Sequence, residues 1–322
     1  MNIKIGIVVL NYNNAPDTIH AIQSILQSQQ SSKHVLIVVD NSSTDDSWQR
    51  LTKSNSFNKS ILQVNNVEAK SLSNLPVVNV LQSLQNKGYA YGNNCGIKQC
   101  LLDDTINYVW VLNNDVEIKE DCLVQIESTL QSSASSIGIW GTLLANYFDK
   151  SKIQAIAGKY YPLLAKTKLY LPNFPIERLN NQLIQVSCKN ANYFIGASLI
   201  FSKFFLEKVG LFNEQYFLYA EEIDIFLRAR KMGYGKAMID KAIVYHKEGG
   251  TTKLINAKEI TRSAFIEFHN CRSKLIYTKN HFPYYYPIVY FFIALNLVWL
   301  YKNNFNKVKV VFQSLRKDKF SV

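Results

Sequence analysis

Short apolar runs alternate with helical patterns through the first 140 residues of the chain. The runs are rich in Val and Ile and alternate little with polar residues, which is typical of strands that are covered on both faces. Four such strands are predicted, at Ile3–Leu10, Val35–Val39, Val77–Leu81 and Tyr108–Leu112. After the first strand, Pro16 opens a stretch at helical spacing that includes Ile22 and Leu26. Further helices are predicted near 44–53, 90–102 and 119–131.

Strands that alternate with helices predict an α/β fold, in which right-handed crossovers build a mainly parallel central sheet flanked by helices. Ligands of such sheets bind beyond the carboxyl ends of the strands. Three of the predicted strands end in polar residues: Asn11-Tyr12-Asn13, Asp40-Asn41-Ser42-Ser43 and Asn113-Asn114-Asp115. We therefore expect these three ends to converge on one crevice.

The chain beyond residue 140 is less periodic. Ile195–Phe201 predicts a further strand, and Glu221–Met232 predicts a helix that Gly233 ends. Ala237–Tyr245 predicts a strand that delivers His246 to its end. Within the first half, the polar segment 65–76 is expected to be a surface insertion.

The composition favours a folded protein in a reducing compartment. Of the 322 residues, 48% are hydrophobic and 13% are aromatic, which is ample for a packed core. The five cysteines include no C-x-x-C pair, which argues against a disulfide framework and against a structural zinc site. The first residues have a short apolar run without a basic leader, so we expect a first strand and a cytoplasmic protein.

Two polar segments could contact a ligand. In the loop DNSSTDDS, Asp40 can accept hydrogen bonds from a nucleobase or a ribose, while Ser43 or Asp45 can cap the next helix. A helix cap is the more common role for such a loop taken alone. The segment NKGYAYGNNCGI has glycines at four-residue spacing, which let the backbone approach a ligand or a neighbouring strand: Gly88, Gly92 and Gly96.

Acidic residues and one histidine complete the candidate chemistry. Asp115 offers oxygen ligands that suit magnesium or manganese, although a single Asp at a strand end is more often a turn residue. Glu221, Glu222 and Asp224 open a predicted helix, where acids favour the N-terminus. Alternatively, one of these carboxylates is a general base because the others crowd it. His246 lies before the Gly-Gly pair at 249–250, where a structural role and a ligand role are about equally favoured.

The order of these motifs over residues 1–280 resembles the family-2 glycosyltransferases, in particular the rhamnosyltransferase-like branch that builds bacterial surface polysaccharides. The resemblance rests on seven segments: IVVLNYNN, VVDNSSTDDS, NKGYAYGNNCGI, WVLNNDVEI, IGASLIF, GLFNEQYFLYAEEIDIFLRARKMGY and VYHKEGGTT. It implies a GT-A fold over residues 1–250, with a nucleotide-binding half at 1–112 and a half for metal and acceptor at 113–250. Residues 251–322 would then form a C-terminal helical, membrane-associating region.

The resemblance also implies the chemistry and the residues that carry it. A sugar is transferred from a nucleoside-diphosphate sugar with inversion, and Mg²⁺ or Mn²⁺ is held by Asp115 and His246. Glu222 matches the catalytic base, with Glu221 and Asp224 beside it. The donor-binding positions are Asn11, Asp40, Ser43, Gly88, Asn94, Asn113 and Asn114.

Two residues depart from the family pattern. Asn113 replaces the first acid of the D-x-D motif, and Glu222 stands where many relatives have Asp. The remaining groups can still supply the charges that the reaction needs. The branch resemblance favours dTDP-rhamnose as donor and leaves UDP-sugars open.

The net charge of +12 is concentrated near the C-terminus, where the residues from Lys241 onwards contribute +10. This region includes a stretch without Lys, Arg, Asp or Glu, 280–301. Its strongly apolar part, Ile288–Tyr301, is shorter than the roughly 20 residues that span a bilayer, so we expect an interfacial helix. Basic residues beyond it would contact anionic lipid: Lys302, Lys307, Lys309, Arg316, Lys317 and Lys319. Packing on the protein's own core or in a homodimer is the alternative.

Together, these expectations predict an enzyme at the inner face of a membrane. It would act on a lipid-linked saccharide acceptor in O-antigen or capsule synthesis. A nucleotide-sugar-binding regulatory or scaffold protein without catalysis is the alternative, and it would require a broken base or metal site. A nucleic-acid-binding protein should interleave basic and aromatic residues on one element. Because the charge instead flanks an apolar segment, no nucleic-acid partner is expected.

Overall fold

The structure is a computed structural model that describes residues 3–62, 78–248 and 259–300 and, near the C-terminus, residues 308, 309, 311, 312 and 315. The predicted insertion at 65–76, the Gly-Gly pair at 249–250 and most of the basic residues after Tyr301 lie outside the described residues.

The described residues contain twelve strands. Their bounds are β1 Ile5–Asn11, β2 Val35–Asp40, β3 Lys59–Leu62, β4 Val78–Gln82, β5 Tyr108–Asn113, β6 Val116–Ile118, β7 Ile137–Asn146, β8 Ile153–Ala155, β9 Ala157–Tyr161, β10 Lys166–Tyr170, β11 Ser198–Ser202 and β12 Gly235–His246.

Ten of these strands form one sheet in the order β3-β4-β2-β1-β5-β11-β7-β12-β6, with β8 paired to β7. The pairs from β3 to β5 are parallel, and so is the pair of β7 with β12. Antiparallel pairing is confined to β11, β6 and β8. The prediction of an α/β fold with a mainly parallel central sheet is thus confirmed. Strands β9 and β10 form a separate antiparallel hairpin.

Nine α-helices are described along the chain. They are α1 Ala15–Gln27, α2 Ser47–Lys53, α3 Tyr89–Leu102, α4 Cys122–Ser132, α5 Asn181–Asn190, α6 Lys203–Val209, α7 Glu221–Lys231, α8 Glu259–His281 and α9 Tyr286–Leu300.

The central sheet is covered on both faces, which explains why β1, β2 and β5 are apolar up to their last residue. Val8 and Leu10 of β1 share one core with α3, whereas Ile7 and Val9 share a second core with α1, α2 and α4. Successive side chains of a strand point to opposite faces, so each strand needs apolar residues at every position when both faces are covered.

The glycines of α3 bring this helix close to the sheet. A Cβ atom at Gly96 would lie 2.4 Å from Val8 Cγ1, and one at Gly92 would lie 2.5 Å from Leu10 Cδ1. Of the two roles that the sequence leaves open for these glycines, close approach to a strand is the one observed.

All predicted helices and strands of the described residues begin and end within three residues of their predicted positions. Sequence patterns did not predict α5 or the strands β3, β6, β7, β8, β9 and β10. The boundary between the nucleotide-binding half and the half for metal and acceptor was placed at 112/113, which falls within β5. Strands from both sides of this boundary belong to the central sheet.

The described part of the C-terminal region, residues 259–300, consists mainly of α8 and α9. On α9, Val289, Ile293 and Leu297 are buried in a small core that includes Cys271 and Leu275 of α8. Other apolar side chains of α9 face outward, among them Phe291, Leu295 and Trp299. No helix among the described residues has both the length and the apolar character that crossing a membrane requires.

Gly96→Ala should lower the free energy of unfolding by about 1–2 kcal/mol. Overpacking against the stiff Val8 side chain costs about 1–3 kcal/mol, and the better helix propensity of Ala recovers up to about 1 kcal/mol. Urea unfolding measures the change, with Lys98→Ala at an exposed position of the same helix as control. A more stable Gly96→Ala variant would contradict this account of the packing.

Candidate active site

The carboxyl ends of β1, β2 and β5 converge, as predicted. Parallel pairing places Asn11 beside Asp40 and Leu10 beside Asn113. Thr18 of α1 then joins the ends, because its hydroxyl donates to Asn11 Oδ1 at 2.7 Å and accepts from Asn114 Nδ2 at 2.9 Å. One buried hydrogen-bonded chain therefore links all three polar strand ends.

The carboxylate of Asp40 is fully buried at this junction. Its Oδ1 accepts from Asn11 Nδ2 at 2.8 Å and from Ser43 Oγ at 2.5 Å. Its Oδ2 accepts from the Ser43 backbone N–H and from Gln82 Nε2. These bonds hold the loop after β2 in place, while the base- and ribose-binding roles of Asn11, Asp40 and Ser43 remain predictions.

The predicted donor-binding residues of the glycine-rich segment are engaged with the chain that precedes α7. Asn94 Nδ2 donates to the Phe212 carbonyl at 2.9 Å, and its Oδ1 accepts from the Phe212 N–H. Gly88 has a φ of +97°, and a Cβ atom there would lie 2.1 Å from the Phe217 carbonyl oxygen. Both residues thus position the loop from 212 to 220, and their role in donor binding remains a prediction.

The tip after β5 brings Asp115 and His246 together. His246 is the last residue of β12 and pairs with Val116 of β6, which follows Asp115 directly. Asp115 Oδ1 lies 3.2 Å from His246 Nε2, and both side chains are buried. Asn113 Nδ2 lies 3.4 Å from the same nitrogen. The other ring nitrogen, Nδ1, is 2.8 Å from Gln154 Oε1.

Two carboxylates stand at the start of α7 without cationic partners among the described residues. Neither Glu221 Oε2 nor Glu222 Oε2 makes a hydrogen bond to another described residue, although both atoms are inaccessible to solvent. Burial raises the pKa of Glu222 to about 7. Burial and the adjacent Glu222 raise the pKa of Glu221 well above its usual range. A carboxylate that is poised near neutral pH has the proton affinity of a general base.

Tyr89 connects the two acidic parts of the site, a role that sequence reasoning missed. Its hydroxyl lies 3.0 Å from Asn113 Oδ1 and 3.1 Å from the Gly196 carbonyl oxygen. A Cβ atom at Gly196 would be 3.7 Å from Glu222 Cβ, so Gly196 lies beside Glu222. Burial and the nearby carboxylates raise the pKa of Tyr89 well above its usual range, which keeps the hydroxyl a donor.

Asp224 occupies a different environment from the two glutamates. Its Oδ1 is 2.6 Å from His281 Nε2, and its Oδ2 accepts from Arg228 Nε at 2.7 Å. The Tyr216 hydroxyl donates to it at 3.2 Å. The predicted catalytic assistance by Asp224 remains a prediction, and the observed contacts give it a structural role between α7 and α8.

The residues at the tip after β5 fit part of a shell for a hard divalent cation. Asp115, which directly precedes β6, and His246, at the end of the adjacent strand β12, offer an oxygen and a nitrogen. No group of three or more His, Cys, Asp or Glu residues suited to a metal occurs in the described part of the chain. Cations such as Mg²⁺ commonly complete their shells with water and substrate phosphates, so this pair fits a site that a bound diphosphate completes.

Raising the pH from 5 to 8 should destabilise the protein through Glu222. The folded state retains the Glu222 proton up to about pH 7, whereas the unfolded chain loses it near the ordinary pKa of 4.5. Stability from this group is therefore lost as pH rises through that window, by up to about 3 kcal/mol. Urea unfolding should show a smaller loss in Glu222→Gln, and Glu177→Gln on the surface is the control. Identical pH profiles for wild type and Glu222→Gln would contradict the buried state of this carboxylate.

Comparisons with known proteins agree with this architecture. Residues 6–147 match the sequence model of the family described as "Glycosyl transferase family 2". Over 280 residues the chain is 24% identical to the low-salt glycan biosynthesis hexosyltransferase Agl10 of Haloferax volcanii, covering 86% of this chain and 77% of that protein.

Two solved structures share the fold. The mannosyltransferase PcManGT of Pyrobaculum calidifontis superposes with a TM-score of 0.53 at 15% identity, over 97% of this chain and 75% of that one. GalNAc-T7 gives a TM-score of 0.53 at 12% identity, over 83% of this chain and 48% of that one. The mostly parallel sheet flanked by helices matches the GT-A fold. The family match thus applies to residues 6–147, and the structural similarity extends the likeness in fold to most of the chain.

Proposed function

We propose that the chain transfers a sugar, with inversion, from a nucleoside-diphosphate sugar to a lipid-linked saccharide acceptor in surface polysaccharide synthesis, with O-antigen or capsule as the product class. The observation that carries this proposal is the carboxylate of Glu222, whose Oε2 atom is inaccessible to solvent and has no hydrogen-bond partner among the described residues, and whose pKa desolvation raises to about 7. Tyr89 and Gly196 join it to the tip that bears Asn113 and Asp115.

Support for a nucleotide-sugar donor and a divalent cation comes from the proteins of similar fold. PcManGT was solved in complex with GDP-Man and Mn²⁺, and GalNAc-T7 with UDP, GalNAc and Mn²⁺. By analogy we propose Mg²⁺ or Mn²⁺ for this chain, with Asp115 and His246 as its protein ligands. When bound, the cation would neutralise charge on the departing nucleoside diphosphate. The rhamnosyltransferase-like motifs favour dTDP-rhamnose as donor.

The proposed reaction is one displacement. Glu222 accepts the proton of the acceptor hydroxyl as that oxygen bonds to the anomeric carbon. The bond from the anomeric carbon to the diphosphate breaks at the same time, and its electron pair leaves with the diphosphate. Attack from the face opposite the leaving group inverts the configuration. Asn113 and Asp115 lie on the side of the leaving group, and Tyr89 fixes their position relative to Glu222.

Glu222→Gln should abolish sugar transfer while nucleotide binding remains. A screen of dTDP-, UDP- and GDP-sugars with Mg²⁺ and Mn²⁺ identifies the donor, and calorimetry then measures nucleotide binding by the variant. In the wild type, kcat/KM should rise with pH through about 7 because the base must lose its proton. Glu207→Gln, at an exposed position of α6, is the matched control. Transfer at a near wild-type rate by Glu222→Gln would remove Glu222 as the base, and wild-type protein that binds nucleotide sugars without transfer would indicate the scaffold alternative.

We further propose that α9 places the enzyme on the inner face of a membrane. The exposed fractions of Phe291, Leu295 and Trp299 are 57%, 50% and 71%, which leaves an apolar strip on the outside of the helix. Lys279 lies before this helix, and Lys302 and further basic residues follow it in the sequence. Apolar and basic residues in this arrangement favour binding to an interface with anionic lipid.

The double substitution Leu295→Gln with Trp299→Gln should weaken binding to anionic lipid vesicles at least about tenfold, because two apolar side chains no longer enter the interface. Sedimentation with vesicles measures the change. Substitution is preferable to truncation after 280, which would also remove the contact of His281 with Asp224. Phe204→Gln, at an exposed apolar residue of α6, is the control. Unchanged binding would refute the membrane role, and concentration-dependent dimers that the double substitution disrupts would indicate a homodimer face instead.

A further inference from the structure

We infer that Gln154 is a positioning residue for His246: its amide oxygen accepts the Nδ1–H of the imidazole and so presents Nε2 as the ligand for the cation that His246 shares with Asp115. The inference rests on the metal use proposed above. Gln154 belongs to the short strand β8, and none of the sequence motifs includes it.

The backbone of β8 is irregular at Gln154. In the pairing with β7, Ala155 lies opposite Leu144 and Ile153 lies opposite Ala145. Two consecutive residues of β7 therefore pair with residues of β8 that are two apart, and Gln154 is the extra residue between them. Bulges of this kind redirect a side chain and are frequent next to active sites.

The neighbours of Gln154 fix this bulge firmly. Ile153 and Ala155 are buried, and the Ile153 N–H donates to the Phe174 carbonyl at 2.9 Å. On the other side of β7, His246 of β12 pairs with Asn146. Gln154 and His246 therefore lie on two strands, β8 and β12, that are both hydrogen-bonded to β7. This pairing sets the distance between the two residues.

The contacts of the His246 ring distinguish its two nitrogens. Nδ1 is 2.8 Å from the Gln154 amide oxygen, which can only accept a hydrogen bond. Nε2 faces Asp115 Oδ1 at 3.2 Å and the Asn113 amide nitrogen at 3.4 Å. Since the Tyr89 hydroxyl lies against Asn113 Oδ1, the amide N–H group of Asn113 is directed to Nε2.

This arrangement is the one that a metal-binding histidine requires. A ligating imidazole coordinates through the lone pair of one nitrogen while the other nitrogen donates its N–H to a fixed acceptor. Gln154 supplies that acceptor on the side away from Asp115. Without it, the proton is free to move to Nε2, where Asp115 Oδ1 would accept it and the lone pair would be lost to the cation.

The first test reads the ring directly and requires neither metal nor activity. Long-range ¹H–¹⁵N NMR of histidine-labelled protein shows which ring nitrogen of His246 carries a proton. We expect a protonated Nδ1 in the wild type and in Gln154→Glu, which keeps an acceptor of nearly the same shape. Gln154→Leu should shift the proton towards Nε2. A wild-type ring without a proton on Nδ1 would overturn the inference.

The second test measures Mn²⁺ binding by electron paramagnetic resonance, with Mn²⁺ alone and with saturating UDP, GDP or dTDP. Loss of such a partner typically weakens metal affinity about 10–100-fold, so Gln154→Leu should show a loss in that range and Gln154→Glu should not. Lys152→Met, two residues away on the surface, is the matched control. Thermal unfolding of each variant establishes that the fold is retained.

The outcomes separate this inference from the proposed function. Wild-type protein that binds Mn²⁺ while Gln154→Leu binds it equally well would overturn the role of Gln154 alone. Wild-type protein that binds no Mn²⁺ under any of these conditions would overturn the proposed metal use, and the inference with it. Weaker binding by Gln154→Leu, with affinity retained in Gln154→Glu, supports both.

Discussion

The hydroxyl of Tyr89 is the contact on which the arrangement of this site depends. It lies between Asn113 Oδ1 and the Gly196 carbonyl oxygen, and so joins the tip of β5 to the chain beside Glu222. The Tyr89 backbone N–H donates to the Phe217 carbonyl at 2.7 Å. The first turn of α3 therefore holds Asp115 and His246, the proposed metal ligands, and Glu222, the proposed base, at a fixed separation. The short approach at Phe217 is possible because Gly88 has no Cβ atom.

The loop that this contact fixes on one side is fixed by α8 on the other. Ser273 Oγ donates to the Leu218 carbonyl at 2.8 Å, and His281 contacts Asp224 at 2.6 Å. Between these contacts, Tyr219 and Ala220 both have a φ of +70°, a conformation that non-glycine residues adopt at a cost of about 1–3 kcal/mol each. Two such residues in succession keep this backbone conformation only where contacts with the surrounding structure hold it in place. Helix α8, on which α9 packs, therefore also supports the loop that precedes Glu222.

The parts of the protein that sequence could predict are those that local periodicity determines. Apolar strands and amphipathic helices gave the parallel sheet, and the carboxyl-end rule gave the meeting of Asn11, Asp40 and Asn113. The roles of Tyr89 and Gln154 depend on contacts with residues 24 and 92 positions away in the chain. For Gln154 the cause is a bulge in a three-residue strand, which no hydrophobic pattern encodes. For Asp224, the sequence predicted its position at the start of an acidic helix. It could not predict the structural contact with His281, which lies 57 residues further along the chain on α8.

Asn113, which stands where the D-x-D motif of family-2 glycosyltransferases has its first acid, is consistent with the charges that surround it. Glu221 and Glu222 are buried nearby with raised pKa values, and Asp115 is a further carboxylate within reach of Tyr89. Another carboxylate at this position would add like charge and raise the pKa of Glu222 beyond about 7, which would leave less of the proposed base ionised at neutral pH. It would also replace the amide donor that faces His246 Nε2 with an acceptor. The amide of Asn113 instead accepts the Tyr89 hydroxyl on one side and faces His246 on the other, which leaves Asp115 as the single carboxylate for the proposed cation.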